Sequence, residues 1–94
     1  MTIRFYFDSE THQPHIYNHG VTETEVEEVL EKPGEDRPGR EDSRISTGQT
    51  KSGRYLRVIY VSDPIPQSIF VITAFELTGK ALKAYKRRRR RKLK

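Results

Sequence analysis

The chain has 94 residues, of which 18 are Lys or Arg and 13 are Asp or Glu, and it contains no cysteine. This length predicts one domain with a small core, and the lack of cysteine excludes a disulfide-stabilised scaffold. No apolar run approaches membrane length and no charged and apolar leader opens the chain, so the reduced cytoplasm is the expected location.

The N-terminal residues predict a strand. Ile3, Phe5 and Phe7 alternate with more polar residues, which is the period-two pattern of a strand that buries one face. The first strand is therefore expected over residues 2–8.

Three histidines follow in a segment that also contains Pro14 and Gly20; they are His12, His15 and His19. A helix would align the last two, but the proline and the glycine argue against one, and no cysteine supplies a fourth ligand, so no metal site is expected. His19 has two possible roles, a hydrogen-bonding loop residue or a general base that titrates near neutral pH.

The stretch HGVTETEVEEVLEKPG contains the signals of a short helix. Thr22 is the expected N-cap, Glu25 completes a capping box, and Val21 is placed to contact Val26 across the first turn. The helix has an apolar stripe and an acidic side, formed respectively by Val26, Val29 and Leu30 and by Glu23, Glu27 and Glu31. Pro33 ends the helix, because its ring cannot continue the backbone hydrogen bonding.

Residues 34–42 are polar and contain Pro38 and Gly39, which predicts a mobile loop. Three runs rich in β-branched and aromatic residues follow, RISTGQT, RYLRVIYVS and IFVITAFEL. Short turns separate these runs, so they predict an antiparallel meander of three strands. The last run is apolar on both sides, and its strand is expected to be central in the sheet.

A helical pattern returns after Gly79, with Ala81, Leu82 and Tyr85 on one side. The element order is then β-α-β-β-β-α, which predicts an α+β fold with a single antiparallel sheet. Residues 1–85 are expected to form the domain.

Charge is divided unevenly along the chain. Residues 80–94 contain ten Lys or Arg and no acid, whereas residues 1–79 contain eight basic and thirteen acidic residues. Residues 86–94 therefore predict a basic tail, which frays by itself because like charges four residues apart oppose a helix. The positive charge of the tail indicates nucleic acid as the partner. The alternative interpretation is that the tail is a solvated chain end without a partner. Membrane binding is not expected, because no large apolar residue alternates with the arginines.

Three segments together resemble one protein family. They are HGVTETEVEEVL, the hairpin GQTKSGRYLRVIY, and VITAFELTGKALKAYKRR, and they look like the BrnT-like members of the RelE-type toxin superfamily and their domain-of-unknown-function relatives. The resemblance extends from about His15 to Arg88. The arginine run is longer than a toxin of this type needs.

The resemblance implies a RelE-like fold and a small bacterial ribonuclease, the toxin of a type II toxin-antitoxin pair. An antitoxin made from a neighbouring gene would neutralise it. Its substrate would be mRNA, free or bound to the ribosome, lying over the open face of the sheet. Two other functions are compatible with the residues: a nucleic-acid-binding module without catalysis, and a protein-interaction domain that uses the acidic helix side.

Metal-independent RNA cleavage needs a base for the 2′-hydroxyl, an acid for the 5′-oxygen, and cations for the charged phosphorane. No cofactor is therefore expected. Arg57 is the first candidate for holding phosphate, because it lies opposite Leu56, Val58 and Tyr60 on a face that should be open. The alternative is an ion pair with Glu76.

The remaining candidates are a second cation, a tyrosine and a set of RNA-binding residues. Arg54 is a second candidate cation, and either this residue or Arg44 could instead pair with an acid. Tyr85 is a candidate proton carrier, since RelE-type toxins often use a late tyrosine, or it docks the last helix. The residues expected to bind RNA are Arg44, Lys51, Arg87, Arg88 and Arg89.

Overall fold

The computed structural model describes residues 2–92, without the side chain of Lys92. The strands are β1 (Thr2–Phe5), β2 (Glu35–Pro38), β3 (Arg44–Gln49), β4 (Tyr55–Ser62) and β5 (Ser68–Glu76). The helices are α1 (Glu23–Glu31) and α2 (Gly79–Lys92), and a 3-10 helix covers His15–His19. In the described part of the chain, the strands form one sheet in the order β1-β5-β4-β3-β2. The predicted α+β class is confirmed, and so is the antiparallel meander of β3, β4 and β5.

The sheet is mixed, so the prediction of an antiparallel sheet is wrong. β1 pairs with β5 in parallel, from Thr2 opposite Ser68 to Phe5 opposite Val71. Parallel neighbours need a long crossover connection, and α1 with the intervening strands provides it. β5 is interior as expected, but the middle strand of the five is β4.

The predicted loop over residues 34–42 is also wrong in part. Glu35–Pro38 forms β2, which pairs antiparallel with β3 and is an edge strand. An edge strand tolerates charged residues and a terminal proline, because one side of its backbone has no ladder to complete. β2 consequently has no apolar alternation by which the sequence could reveal it.

β1 is shorter than predicted. The strand ends at Phe5, and Phe7, expected to share its buried face, is 57% exposed. The Asp8 carboxylate accepts the Glu10 N–H at 2.8 Å, which stabilises a turn. This turn directs the chain away from the sheet before the alternation is complete.

α1 begins as predicted. The Thr22 hydroxyl accepts the Glu25 N–H at 3.2 Å, and the Glu25 carboxylate accepts the Thr22 N–H at 3.0 Å. Val21 and Val26 are both buried beside this cap. The core lies between α1, the 3-10 helix and one face of the sheet, and its members include Ile16, Val26, Val29, Leu56, Val58, Val71 and Ala74. We term this side of the sheet the core face.

The histidine segment is helical, contrary to the prediction. Pro14 precedes the 3-10 helix, and Gly20 ends it with a left-handed φ of 69°. The two residues bound the short helix, because proline is tolerated at a helix start and glycine adopts the left-handed cap. Ile16 anchors the segment in the core.

α2 crosses the other face of the sheet, at the end where β4 begins. Tyr85 is 4% exposed and its ring centroid lies 5.9 Å from that of Tyr55. A Cβ on Gly34 would overlap the Tyr85 hydroxyl, so glycine permits this close approach. Of the predicted stripe, Leu82 is partly buried but Ala81 is exposed.

α2 also continues past Tyr85 through Lys92 rather than ending at the predicted tail. The Arg88 guanidinium donates to Glu35, and the Arg89 guanidinium donates to the Gly34 carbonyl at 2.7 Å. These contacts hold the first turn beyond Tyr85 against the body. The division of the chain at residue 85 stays a prediction, and residues 93 and 94 lie outside the described range. None of the helices within residues 2–92 has the length and apolar composition needed to cross a bilayer.

Candidate nucleic-acid interface

Arg57 lies in the middle of the sheet, on the face opposite the core. A cross-strand row runs from Glu35 through Thr47 and Arg57 to Phe75. Side chains in such a row share one face and are neighbours. Arg37 lies two residues along β2 from Glu35 and is therefore on the same side. We term this side, which carries Arg37 and Arg57, the arginine face.

The surroundings of Arg57 are electropositive. Its Nε is buried and has no hydrogen-bond partner among the described residues. Burial lowers the pKa of Arg57, repulsion from Arg37 and Arg88 lowers it further, and attraction to Glu35 partly opposes these effects. The expected alternative, an ion pair with Glu76, is not formed, because Glu76 lies opposite Leu56 and accepts a hydrogen bond from Arg54.

Glu35 organises this group of arginines. It is 7% exposed and accepts hydrogen bonds from Arg88 at 2.5 and 2.9 Å. The Arg37 Nε lies 4.0 Å from the same carboxylate. Two guanidinium groups therefore contact this carboxylate, and it also attracts that of Arg57. The excess positive charge favours the approach of a further oxyanion.

An aromatic row borders the arginines along β5. It consists of Tyr6, His15, His19, Phe70 and Phe75, and its successive ring centroids are 5.3 to 6.5 Å apart. The Arg4 guanidinium lies 5.8 Å from the Phe70 ring centroid. Arginines interleaved with aromatic rings are the elements by which proteins hold single-stranded nucleic acid, since the cations contact phosphates and the rings stack on bases.

Two of the predicted catalytic residues, His19 and Arg57, are each neighbours of Phe75. The His19 ring lies 6.2 Å from the Phe75 ring, and Phe75 is the cross-strand neighbour of Arg57. His19 is exposed at the end of the 3-10 helix. His15, which contacts His19, has its Nδ1 3.5 Å from the Asp8 carboxylate. An exposed imidazole thus adjoins the strand position that is paired with the central arginine.

Arg54 has a structural role. Its guanidinium donates to both oxygens of Glu25 at 2.9 and 2.8 Å, to the Gly20 carbonyl at 3.0 Å and to Glu76 at 3.2 Å. The hydrogen bond to Glu25 is the main cause of the raised pKa of Arg54. Arg54 therefore joins the start of α1 to β5, and both terminal nitrogens of its guanidinium take part in these hydrogen bonds.

Of the other predicted RNA-binding residues, one forms an ion pair and two are exposed to solvent. Arg44 donates to the Asp36 carboxylate at 2.7 Å, and this bond raises its pKa. Lys51 is exposed in the turn between β3 and β4, where its N–H donates to Glu28 at 3.0 Å. Arg87 is exposed on α2. Arg44 thus takes the ion-pair alternative, whereas the side chains of Lys51 and Arg87 are accessible to phosphate.

Tyr85 fits the docking alternative. Burial raises its pKa, and the nearby Arg89 and Arg88 counteract that rise only in part. A phenol with a raised pKa stays protonated at neutral pH. Its packing between Tyr55 and Gly34 therefore holds α2 in place.

The interaction of Glu25 with Arg54 predicts a specific pH dependence. Burial by itself would raise the pKa of Glu25, but hydrogen bonds from Thr22 and Arg54 bring it below its ordinary 4.5. A depressed pKa in the folded state stabilises the fold above the ordinary pKa, and this stability is lost as pH falls through the folded value. We expect Glu25→Gln to lower the free energy of unfolding at neutral pH, and we expect its difference from wild type to shrink as pH falls from 4.5 through the folded pKa.

The check is chemical denaturation of both proteins across that pH range. Other carboxylates titrate in both proteins, so the difference between them isolates Glu25. A difference that is constant with pH would contradict the assignment of this pair.

Sequence reasoning missed several residues of the interface. Glu35 and Arg37 could not be recognised, because the segment that forms β2 has the polar composition of a loop. Phe75 was detectable, since it lies in an apolar strand and pairs with Arg57 in the meander. Tyr6 and His15 carry no sequence signal for this role, because only the turn at Asp8 brings them beside β5.

Comparisons with protein-family models, curated proteins and solved structures find no match to this chain.

Proposed function

We propose that this protein is a RelE-like toxin that binds RNA across the arginine face and cleaves it without a metal ion. The observation that supports this proposal best is Arg57, whose buried Nε has no hydrogen-bond partner among the described residues. A buried and unsatisfied guanidinium nitrogen is costly. A phosphate oxygen would satisfy it and would neutralise part of the surrounding positive charge.

The proposed mechanism uses the arrangement around Phe75. The scissile phosphate binds Arg57, and Arg37 and Arg88 contribute to its electrostatic stabilisation. A neighbouring base stacks on the aromatic row. His19 accepts the 2′-hydroxyl proton, and the resulting oxygen attacks the phosphorus to form a 2′,3′-cyclic phosphate. The displaced 5′-oxygen takes a proton from water and leaves as a 5′-hydroxyl. The positive charge of the arginines stabilises the phosphorane that forms in this step.

The cellular setting is part of the same proposal. The protein acts in the cytoplasm on mRNA, free or ribosome-bound. A cognate antitoxin neutralises it by covering the arginine face with acidic residues, since this surface attracts negative charge. The toxin would then be inactive until the antitoxin is removed.

The direct test is Arg57→Ala. We expect RNA cleavage to fall by about 10² or more, as for the loss of one preorganised donor at a transition-state oxyanion. The fold should persist, because the substitution removes an unsatisfied buried nitrogen. The measurement is the single-turnover cleavage rate of an RNA, with amide dispersion in NMR spectra as the check of folding.

Arg44→Ala is the matched control. It removes the same charge from the neighbouring strand, but Arg44 is paired with Asp36 on the core-face side of the sheet. Cleavage by this variant should stay within a few-fold of wild type. Equal losses in the two variants would show that only general charge matters, and an unaffected Arg57→Ala enzyme would refute the proposed phosphate site.

A second candidate function is RNA binding without cleavage. It is favoured by the structural roles of Arg54 and Tyr85, which leave His19 as the one remaining proton carrier among the predicted residues. Cleavage by the wild-type protein distinguishes the two functions, and His19→Gln tests the proposed base. A ribonuclease should lose cleavage and retain RNA binding, whereas a binding module yields no cleavage product from the wild-type protein either.

A further inference from the structure

A second basic surface lies on the side of α2 that faces away from Arg57. It is an open groove of about 510 Å³ between α2, the end of α1 and the start of β4. The described residues that line it include four cations and no acid; the cations are Lys32, Lys86, Arg89 and Arg90. Such a groove has a strongly positive potential, because no carboxylate in this lining offsets the four charges.

α2 separates this groove from Arg57. Tyr85 packs inward, and Lys86 and Arg90, four residues apart, lie on one flank of the helix. A smaller depression on the opposite flank is lined by Ala84, Arg87, Arg88 and Arg91. Arg88 is the residue that contacts Glu35, so that flank belongs to the Arg57 side.

Two side chains of the groove are held in place, those of Lys86 and Arg89. The Lys86 Nζ lies 5.0 Å from the centroid of the Tyr55 ring, a cation-π contact. Arg89 uses one of its donors on the Gly34 carbonyl. A guanidinium carries five N–H donors, so Arg89 has further donors besides the one that binds Gly34. The site is thus partly preorganised for an anion that accepts several hydrogen bonds.

We propose that this groove binds a phosphate group of RNA, as a second site in addition to Arg57. That the ligand is RNA rests on the proposed function. That the groove prefers a phosphate group follows from its own four cations. A phosphate presents several acceptor oxygens and matches both the arginine donors and the lysine charge. The groove is larger than one phosphate group, and the Tyr55 ring in its lining provides an aromatic surface for the attached nucleoside.

The test compares two doubly substituted proteins with the same net charge. Lys86→Gln with Arg90→Gln removes two cations from the groove, and Arg87→Gln with Arg91→Gln removes two from the remaining surface of α2. Both pairs are spaced four residues apart and leave Arg88 and Arg89 intact. Glutamine has a helix propensity close to those of lysine and arginine, so α2 should persist in both proteins.

The first measurement is a titration of each protein with inorganic phosphate, followed by NMR. In wild type and in the Arg87 and Arg91 variant, the amide signals of Gly34, Gln49 and Tyr55 should shift and saturate. In the Lys86 and Arg90 variant the dissociation constant should rise at least about tenfold, because two charged donors are removed. Shifts that do not saturate, or equal weakening in both variants, would overturn the site.

The second measurement uses a short RNA with and without a 5′-phosphate. Saturating shifts at the groove with both RNAs identify an internal phosphodiester as the ligand, and shifts with the phosphorylated RNA alone identify a terminal phosphate. Shifts with neither would overturn the RNA assignment.

The two proposals can fail separately. Intact cleavage together with no phosphate binding at the groove refutes this inference alone. Phosphate and RNA binding at the groove without cleavage refutes the enzymatic activity alone.

Discussion

Val58→Asp is expected to prevent folding. Val58 is fully buried on β4, between Ser46 of β3 and Ala74 of β5, and it belongs to the core that α1 covers. An aspartate there buries a carboxylate in an apolar cluster, which costs several kcal/mol even when the group protonates. Small domains have a total stability of about 5–15 kcal/mol, and one of this size lies near the lower end.

The measurement is thermal unfolding followed by circular dichroism, together with amide dispersion in NMR spectra. Ile59→Asp is the matched control, since Ile59 is the next residue of β4 and lies on the arginine face. This variant should fold cooperatively. A folded Val58→Asp protein beside an unfolded Ile59→Asp protein would mean that the two faces of the sheet are reversed.

Removal of the basic end should weaken RNA binding by orders of magnitude at low salt. A chain cut after Tyr85 lacks eight cations, from Lys86 to Lys94. The slope of log affinity against log salt concentration should become smaller by roughly 0.7 for each phosphate that the shortened chain no longer neutralises. Base preference should persist, because phosphate contacts position RNA whereas the aromatic row contacts its bases.

The structure adds a second consequence of this cut. Loss of Arg88 and Arg89 removes the hydrogen bonds to Glu35 and Gly34, so the shortened chain should be less stable, although Tyr85 still anchors the start of α2. A longer chain that ends after Arg89 keeps both interactions and lacks four cations, Arg90, Arg91, Lys92 and Lys94. It should retain the stability of the full chain and an intermediate salt slope.

Salt-titrated binding of the three chains to one RNA is the measurement. Equal slopes for all three would show that the basic end does not contact RNA. Complete unfolding of the chain cut after Tyr85 would show that the end is an essential part of the fold and would contradict the division at residue 85.

Elements whose signals are local in the chain could be predicted from the sequence. α1 was predicted to the residue of its N-cap, because Thr22 and Glu25 hydrogen-bond within one turn and need no distant partner. The meander was predicted because alternation and turn residues act between neighbours in the chain. The position of Arg57 opposite Leu56 and Val58 followed from the same alternation, so the central residue of the candidate interface could be named from sequence.

The remaining parts depend on contacts between segments that are distant in the chain. β2 forms because its backbone hydrogen-bonds to that of β3, and no residue in Glu35–Pro38 signals this pairing. Whether an arginine is paired or accessible depends on which carboxylate reaches it: Glu25 occupies Arg54, whereas Glu35 is shared among several guanidinium groups. The aromatic row and the groove join segments distant in sequence. Such contacts cannot be read from local patterns, because the packing of the whole chain determines which distant residues become neighbours.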